Sequence, residues 1–120
     1  MSKKTLVVGA SKNPDRYSYK AIQALRSKGH EVHALGLRED EVSDVKFFTE
    51  HKPIEALDTI TLYVNPTNQR KLYDYLLSLN AKRIVFNPGT ENPELAKLAT
   101  DNGAEAVYGC TLVMLSLGKY

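Results

Sequence analysis

The residues best suited to chemistry lie in the stretch "VVGASKNPDRYS", Val7 to Ser18. Gly9, Ala10 and Ser11 carry little side-chain bulk, so backbone N–H groups there can approach a ligand and Ser11 can donate a hydroxyl. A helix beginning near Ser18 would turn its positive end toward the same space. Lys12 and Arg16 add cations, and a guanidinium can hold two phosphate oxygens at once. The combination suits a phosphate. The plainer account is a tight strand-to-loop turn at Gly-Ala-Ser, ordinary turn chemistry at Asn13-Pro14-Asp15, and solvated cations.

Several familiar chemistries are absent. The dinucleotide fingerprint G-x-G-x-x-G fails after Gly9, because Ser11 and Pro14 occupy its second and third glycine positions. The acidic residue expected at the end of a second strand is missing as well, since Gly36, Leu37 and Arg38 precede Glu39 and Asp40. Arg38 there favours an added phosphate on a ribose and disfavours NAD. Gly9-x-Ser11 suggests a nucleophile elbow, but Asn13, which replaces the second glycine of G-x-S-x-G, argues against it. His30, His33 and His51 form no HExxH, and a lone cysteine gives no metal-ligand spacing. No two carboxylates stand out as an acid/base pair. Cys110 reads either as a reactive thiol at the end of a strand or as a small buried hydrophobe, and the second is commoner.

The elements that must position these residues follow a βαβ order, with no linker, repeat or low-complexity segment between them. Thr5 to Val8 reads as a first strand, Ala21, Ile22, Ala24 and Leu25 as one helix face closed by Gly29, and Val32 to Leu35 as a second strand. A charged stretch then passes through "VKFFT" and "PIEAL", a short strand and one helical turn, to "TITLYV". Asn65-Pro66 and Asn92-Pro93 read as helix starts, because asparagine can accept from orphan N–H groups and proline has none to satisfy. "RIVFN" and "AEAVY" supply the fourth and fifth strands, and "TLVML" a short helix or strand extension. Two-sidedly apolar strands alternating with helices predict an α/β, Rossmann-like, doubly wound fold with a mainly parallel five-stranded sheet and helices on both faces. Ligands bind such sheets beyond the C-terminal strand ends. The opening stretch, Leu35 to Arg38, Val64 to Thr67 with Asn65, and Asn87 to Thr90 are all expected there.

Composition sets the outer limits. The chain of 120 residues reads as one domain, residues 1–120, with 42% hydrophobic and 25% charged residues and a net charge of +2. That charge is small and spread along the chain, which argues against nucleic acid. No run approaches the roughly 18 apolar residues of a membrane span. "MSKKTLVV" is too short in its apolar part for a secretory signal, and with one cysteine the expectation is a cytoplasmic protein.

Gly9-Ala10-Ser11, Asn13-Pro14, Arg16 and Ser18, with their longer loop, resemble the signature of the small stand-alone CoA-binding proteins. These are similar to the N-terminal domain of the succinyl-CoA synthetase alpha subunit. The resemblance extends from about Thr5 to Met114 through "ALRSKGHEVHAL", "NAKRIVF" and "GTENPELAKLATDNGAEAVYGC". It implies binding of CoA or an acyl-CoA, with the pyrophosphate on Gly9, Ser11, Asn13, Pro14, Arg16 and Ser18 and the adenine nucleotide near the loops after the second and third strands. The chain departs from the family in having "GLRED" where an Asn-Pro-Lys-like stretch is usual, so Arg38 as partner of the 3′-phosphate rests on charge. It departs again at Cys110, preceded only by Gly109. The synthetase's phosphohistidine lies in a second domain that has no counterpart here, so binding without catalysis is expected. Two other classes stay open: an NAD(P)- or nucleotide-binding regulatory module, and a small thiol-dependent enzyme using Cys110. Self-association or a protein partner is likewise open.

Overall fold

A computed structural model describes residues 2–120. Its strands are β1 (Thr5–Ala10), β2 (Val32–Gly36), β3 (Glu41–Val42), β4 (Val45–Phe48), β5 (Thr59–Leu62), β6 (Arg83–Phe86) and β7 (Glu105–Tyr108). They form one sheet in the order β3-β4-β2-β1-β5-β6-β7. All neighbours run parallel except β3 and β4, which pair antiparallel. The helices are α1 (Tyr17–Ser27), α2 (Pro66–Gln69), α3 (Tyr73–Ser78), α4 (Pro93–Asp101) and α5 (Thr111–Ser116), with a 3-10 turn at Arg70–Leu72.

Alternation along the strands divides the core in two. Leu6 and Val8 of β1 face one side with Ile60, Leu62, Ile84 and Phe86, packed by Tyr75 and Leu76 of α3 and Leu95 and Ala99 of α4. Val7 faces the other side with Ala34 and Phe47, packed by Ile22 and Leu25 of α1 and Leu115 of α5. Successive side chains point to opposite faces, and helices cover both, so Leu6, Val7 and Val8 are all buried. The doubly wound, Rossmann-like α/β architecture expected from the sequence is present.

Two local expectations need correction. The sheet has seven strands, not five. "VKFF" is a full member that pairs parallel with β2 at Ala34↔Phe47 and Leu35↔Phe48, while Glu41–Val42 folds back on it as an edge ribbon. "PIEAL" forms no helical turn; Glu55 and Ala56 make a tight turn, with Ala56 at φ +56°, and Ile54 and Leu57 anchor the segment in the core. Five residues offer too few intrahelical hydrogen bonds to hold a helix when two apolar anchors are satisfied by an irregular path.

The helix starts follow their local chemistry. Asn65 Oδ1 accepts from the Asn68 N–H at 2.9 Å, and Asn92 Oδ1 accepts from the Leu95 N–H at 3.2 Å, with Pro66 and Pro93 in the first turn of each helix. α1 ends near Gly29 in the left-handed region, at φ +83°. "TLVML" is helical. Among the described residues no helix is long and apolar enough to cross a membrane.

Candidate functional site

The strand order reverses about β1: β2 and β4 lie on one side of it, and β5, β6 and β7 on the other. The loops after β1 and β5 therefore border the switch-point crevice. Gly9 shapes its floor. Register between β1 and β2 shifts between Val8 and Ala10, and Gly9 takes φ +91° within that irregularity. A Cβ on Gly9 would lie 2.8 Å from Val64 Cγ1 and 3.2 Å from the carbonyl carbon and oxygen of Tyr63. The glycine is thus required by packing of the β1 end against the β5 end, whatever approaches from outside.

Beyond Gly9 the chain builds its turn from its own small side chains. Ser11 Oγ accepts from the Asn13 N–H at 3.1 Å, Asn13 Oδ1 accepts from the Asp15 N–H at 3.0 Å, and the Arg16 N–H donates to the Asn13 carbonyl at 3.0 Å. The Ser11 hydroxyl keeps its proton free to donate. Arg16 is the N-cap residue of α1, with extended backbone and no side-chain capping bond, and no acidic residue stands in the first turn. The leading N–H groups and the positive end of the helix dipole are therefore left for something else to satisfy.

The expected residues separate into four settings. Gly9 and Ala10 end β1 and lead into Ser11, Lys12, Asn13, Pro14 and Arg16 of the β1–α1 connection, Ser18 lies in the first turn of α1, Arg38 follows β2 and Asn65 follows β5, all toward the C-terminal end of the sheet. Ser18 is only 3% exposed. Lys12 is not a solitary cation: its Nζ lies 3.5 Å from Asp40 Oδ2, which ties the loop after β1 to the loop after β2. Arg16 and Arg38 are exposed and form no salt bridge among the described residues. Asn65 has its Oδ1 committed to the cap of α2. Cys110 is half-buried in the N-cap position of α5, just beyond β7.

Two buried polar networks brace this end of the sheet, and sequence reasoning missed both. Gln69 is fully buried and donates from Nε2 to the Val64 carbonyl at 2.9 Å and the Thr90 carbonyl at 2.8 Å, while its Oε1 accepts from Asn92 Nδ2 at 2.9 Å. One side chain thus joins the loops after β5 and β6. Asn87 donates from Nδ2 to Thr61 Oγ1 at 2.7 Å and the Leu62 carbonyl at 2.9 Å, and accepts the Thr111 N–H at 2.9 Å. Thr61 and Thr111 share a further bond at 2.8 Å. Beside them the Tyr63 hydroxyl is buried without a partner among the described residues, and burial pushes its pKa up to about 12. A polar residue in a short helix leaves no periodic trace, so only its spacing from Asn65-Pro66 could have drawn notice to Gln69.

A recess of about 350 Å³ lined by residues that include Ile54, Ala56, Leu79 and Asn80 lies at the opposite, N-terminal end of the strands. None of the expected ligand residues lines it.

Known proteins share both the sequence pattern and the fold. Residues 3–116 match a family described as a CoA binding domain. A solved structure described as an uncharacterized protein is 49% identical with a TM-score of 0.97, over 100% of this chain and 99% of that one. A conserved hypothetical protein from Pyrococcus furiosus is 29% identical with a TM-score of 0.80, over 92% of this chain and 97% of that one. The dinucleotide forming acetyl-coenzyme A synthetase 1 of Ca. Korarchaeum cryptofilum, in complex with phosphate and ADP, shares the fold at 19% identity. Its TM-score is 0.70, over 90% of this chain and 26% of that one. No curated protein matches.

Proposed function

The chain belongs to the CoA-binding domain family, and from that premise we propose that it binds CoA or an acyl-CoA through the β1–α1 turn, with no catalysis of its own. The observation that carries this reading is the uncapped N-terminus of α1 beside the side-chain-poor Gly9-Ala10-Ser11 turn. A pyrophosphate there accepts from the leading N–H groups and from the Ser11 hydroxyl, and gains from the helix dipole. Arg16 is the cation free to neutralise it. Asn13 and Pro14 hold the loop open, and Lys12 acts through Asp40 by keeping the two loops together. Ser18 and Asn65 support the walls, and Arg38 faces the ribose phosphate.

NAD(P) or another nucleotide is the competing ligand. The absence of an acidic residue at Gly36, Leu37 and Arg38 weighs against NAD, whose 2′-hydroxyl needs an acceptor. A thiol-dependent activity at Cys110 has no base or second thiol near it in the sequence to support it.

Calorimetric titration of nucleotide-free protein with CoA and with NAD tests the reading. One CoA per chain is expected, with NAD at least about tenfold weaker, equivalent to about 1.4 kcal/mol. Absence of CoA binding, or NADH displacing CoA at equal concentration, overturns it.

A further inference from the structure

The two edges of the sheet are finished differently. At one edge the outer strand is β3, only Glu41–Val42, bound antiparallel to β4 and preceded by the charged residues Arg38, Glu39 and Asp40. A short edge strand among charges resists pairing with another chain. At the other edge β7 has neither protection. It pairs only with β6, and from Ala106 to Gly118 the sequence holds no charged residue. The chain after α5 leads away from it: the Tyr120 hydroxyl lies 2.6 Å from Thr5 Oγ1, at the N-terminal end of the central strand β1.

The free edge has a definite hydrogen-bonding pattern. The Glu105 N–H donates to the Lys82 carbonyl at 2.9 Å, and the Gly109 N–H donates to the Phe86 carbonyl at 3.2 Å. Alternate residues of a parallel ladder face the neighbouring strand, so Glu105, Val107 and Gly109 turn toward β6. Ala106 and Tyr108 turn their N–H and C=O groups outward, with no partner among the described residues. Apolar side chains accompany them. Of the large apolar side chains exposed among the described residues, Tyr108 lies on β7, Leu98 on the preceding helix α4, and Val113 and Leu117 on the following helix α5; only Tyr17 and Leu37 lie elsewhere.

We propose that β7 is a self-association edge, at which two copies of this chain pair antiparallel about a two-fold axis at Val107 and join their sheets. Ala106 of one copy then opposes Tyr108 of the other, and each opposed pair exchanges two hydrogen bonds, which uses every outward group. The neighbouring registers fail. A two-fold at Ala106 would draw in Ala104, whose N–H already donates to the Ala99 carbonyl at 2.9 Å, and one at Tyr108 would draw in Cys110, whose carbonyl already accepts from the Met114 N–H at 3.0 Å. Charge agrees with the Val107 register. Glu105 there opposes Gly109 of the second copy, the two Glu105 residues stand about 14 Å apart along the strands, and the uncharged run meets itself. A standard interface takes about 800 Å² from each partner, roughly an eighth of this chain's 6837 Å². The strand edge alone is smaller than that, and the exposed apolar residues of α4 and α5 extend it on both faces of the sheet.

Sedimentation equilibrium of the wild-type chain without CoA tests the proposal, which is independent of the ligand reading. The expected mass is near twice 13.4 kDa at about 100 μM, a concentration that reveals micromolar association. A monomer mass there overturns it. Tyr108→Lys places a cation in both opposed pairs and is expected to raise the dissociation constant about tenfold or more, with circular dichroism and the urea midpoint near wild type. The register is read by oxidative crosslinking in a Cys110→Ser background. Val107→Cys should give a covalent dimer, because a non-hydrogen-bonded antiparallel pair sits about 4.5 Å apart at Cα, within disulfide reach. Glu105→Cys should give none. A wild-type dimer that Tyr108→Lys leaves intact, or one in which Val107→Cys crosslinks no better than Glu105→Cys, overturns pairing through β7.

Discussion

Gly9 and Val64 interlock across the switch point, since a methyl group on Gly9 would come within 2.8 Å of Val64 Cγ1. Gly9→Ala is therefore expected to destabilise the fold by about 2–4 kcal/mol in urea denaturation, combining left-handed strain with overpacking. Adding Val64→Ala should recover part of that loss. Full recovery is not expected, because the Tyr63 carbonyl group stays 3.2 Å away and φ stays at +91°. An unchanged urea midpoint for Gly9→Ala would refute the packing account.

Ser11 has a structural bond and a proposed ligand bond that can be separated. Its Oγ accepts from the Asn13 N–H at 3.1 Å on the surface, where water replaces a lost partner cheaply. Ser11→Ala is expected to leave the denaturation midpoint almost unaltered and to weaken CoA binding by about 1–2 kcal/mol, the scale of one hydrogen bond to a charged group. Equal CoA affinity in a folded variant would remove Ser11 from the site.

Gln69 presents the opposite balance. Gln69→Leu would leave the buried Thr90 carbonyl and the half-buried Val64 carbonyl without their present donor, and the buried Asn92 Nδ2 without one acceptor. The expected cost is about 2–3 kcal/mol, from buried polar groups losing their partners. Hydrogen exchange should show faster opening of the segments near Val64 and Thr90 while the α1 side keeps its protection. Uniform loss of protection across the chain would contradict a local clamp.

His30 gives the fold a sensitivity to acid. It is 8% exposed, its Nδ1 accepts from the Lys3 N–H at 2.9 Å, and its pKa is lowered by burial first and then by nearby cations including Lys3 and Arg83. The folded state therefore binds this proton less readily than the unfolded chain, whose histidine titrates near the ordinary 6.5. Its contribution is fully present above about pH 6.5 and is lost as pH falls through that value toward the lowered folded pKa. The urea midpoint should drop between pH 7.5 and pH 5.5, and His30→Gln should flatten the slope. A wild-type midpoint that holds or rises on acidification would count against it.

Much of this architecture could be read from local signals. Apolar runs such as "TLVV" and "RIVF" announce strands buried on both faces, and the two Asn-Pro pairs mark helix starts because the cap and the missing N–H act within four residues. In the sequence Gly9 reads as a place for close approach. What approaches it in the fold is Val64, whose separation in sequence no short-range rule can span.

The sequence by itself determined the doubly wound class, the strand-to-helix order and the cluster of small and cationic residues after β1, because those depend on periodicity and turn chemistry over a few residues. Only the tertiary structure decided that "VKFF" joins the sheet beside β2, that Lys12 pairs with Asp40, and that Gln69 joins two loops. Each of these depends on which strands become neighbours, and that choice is made by burial of the whole core, not by any one segment's own preference.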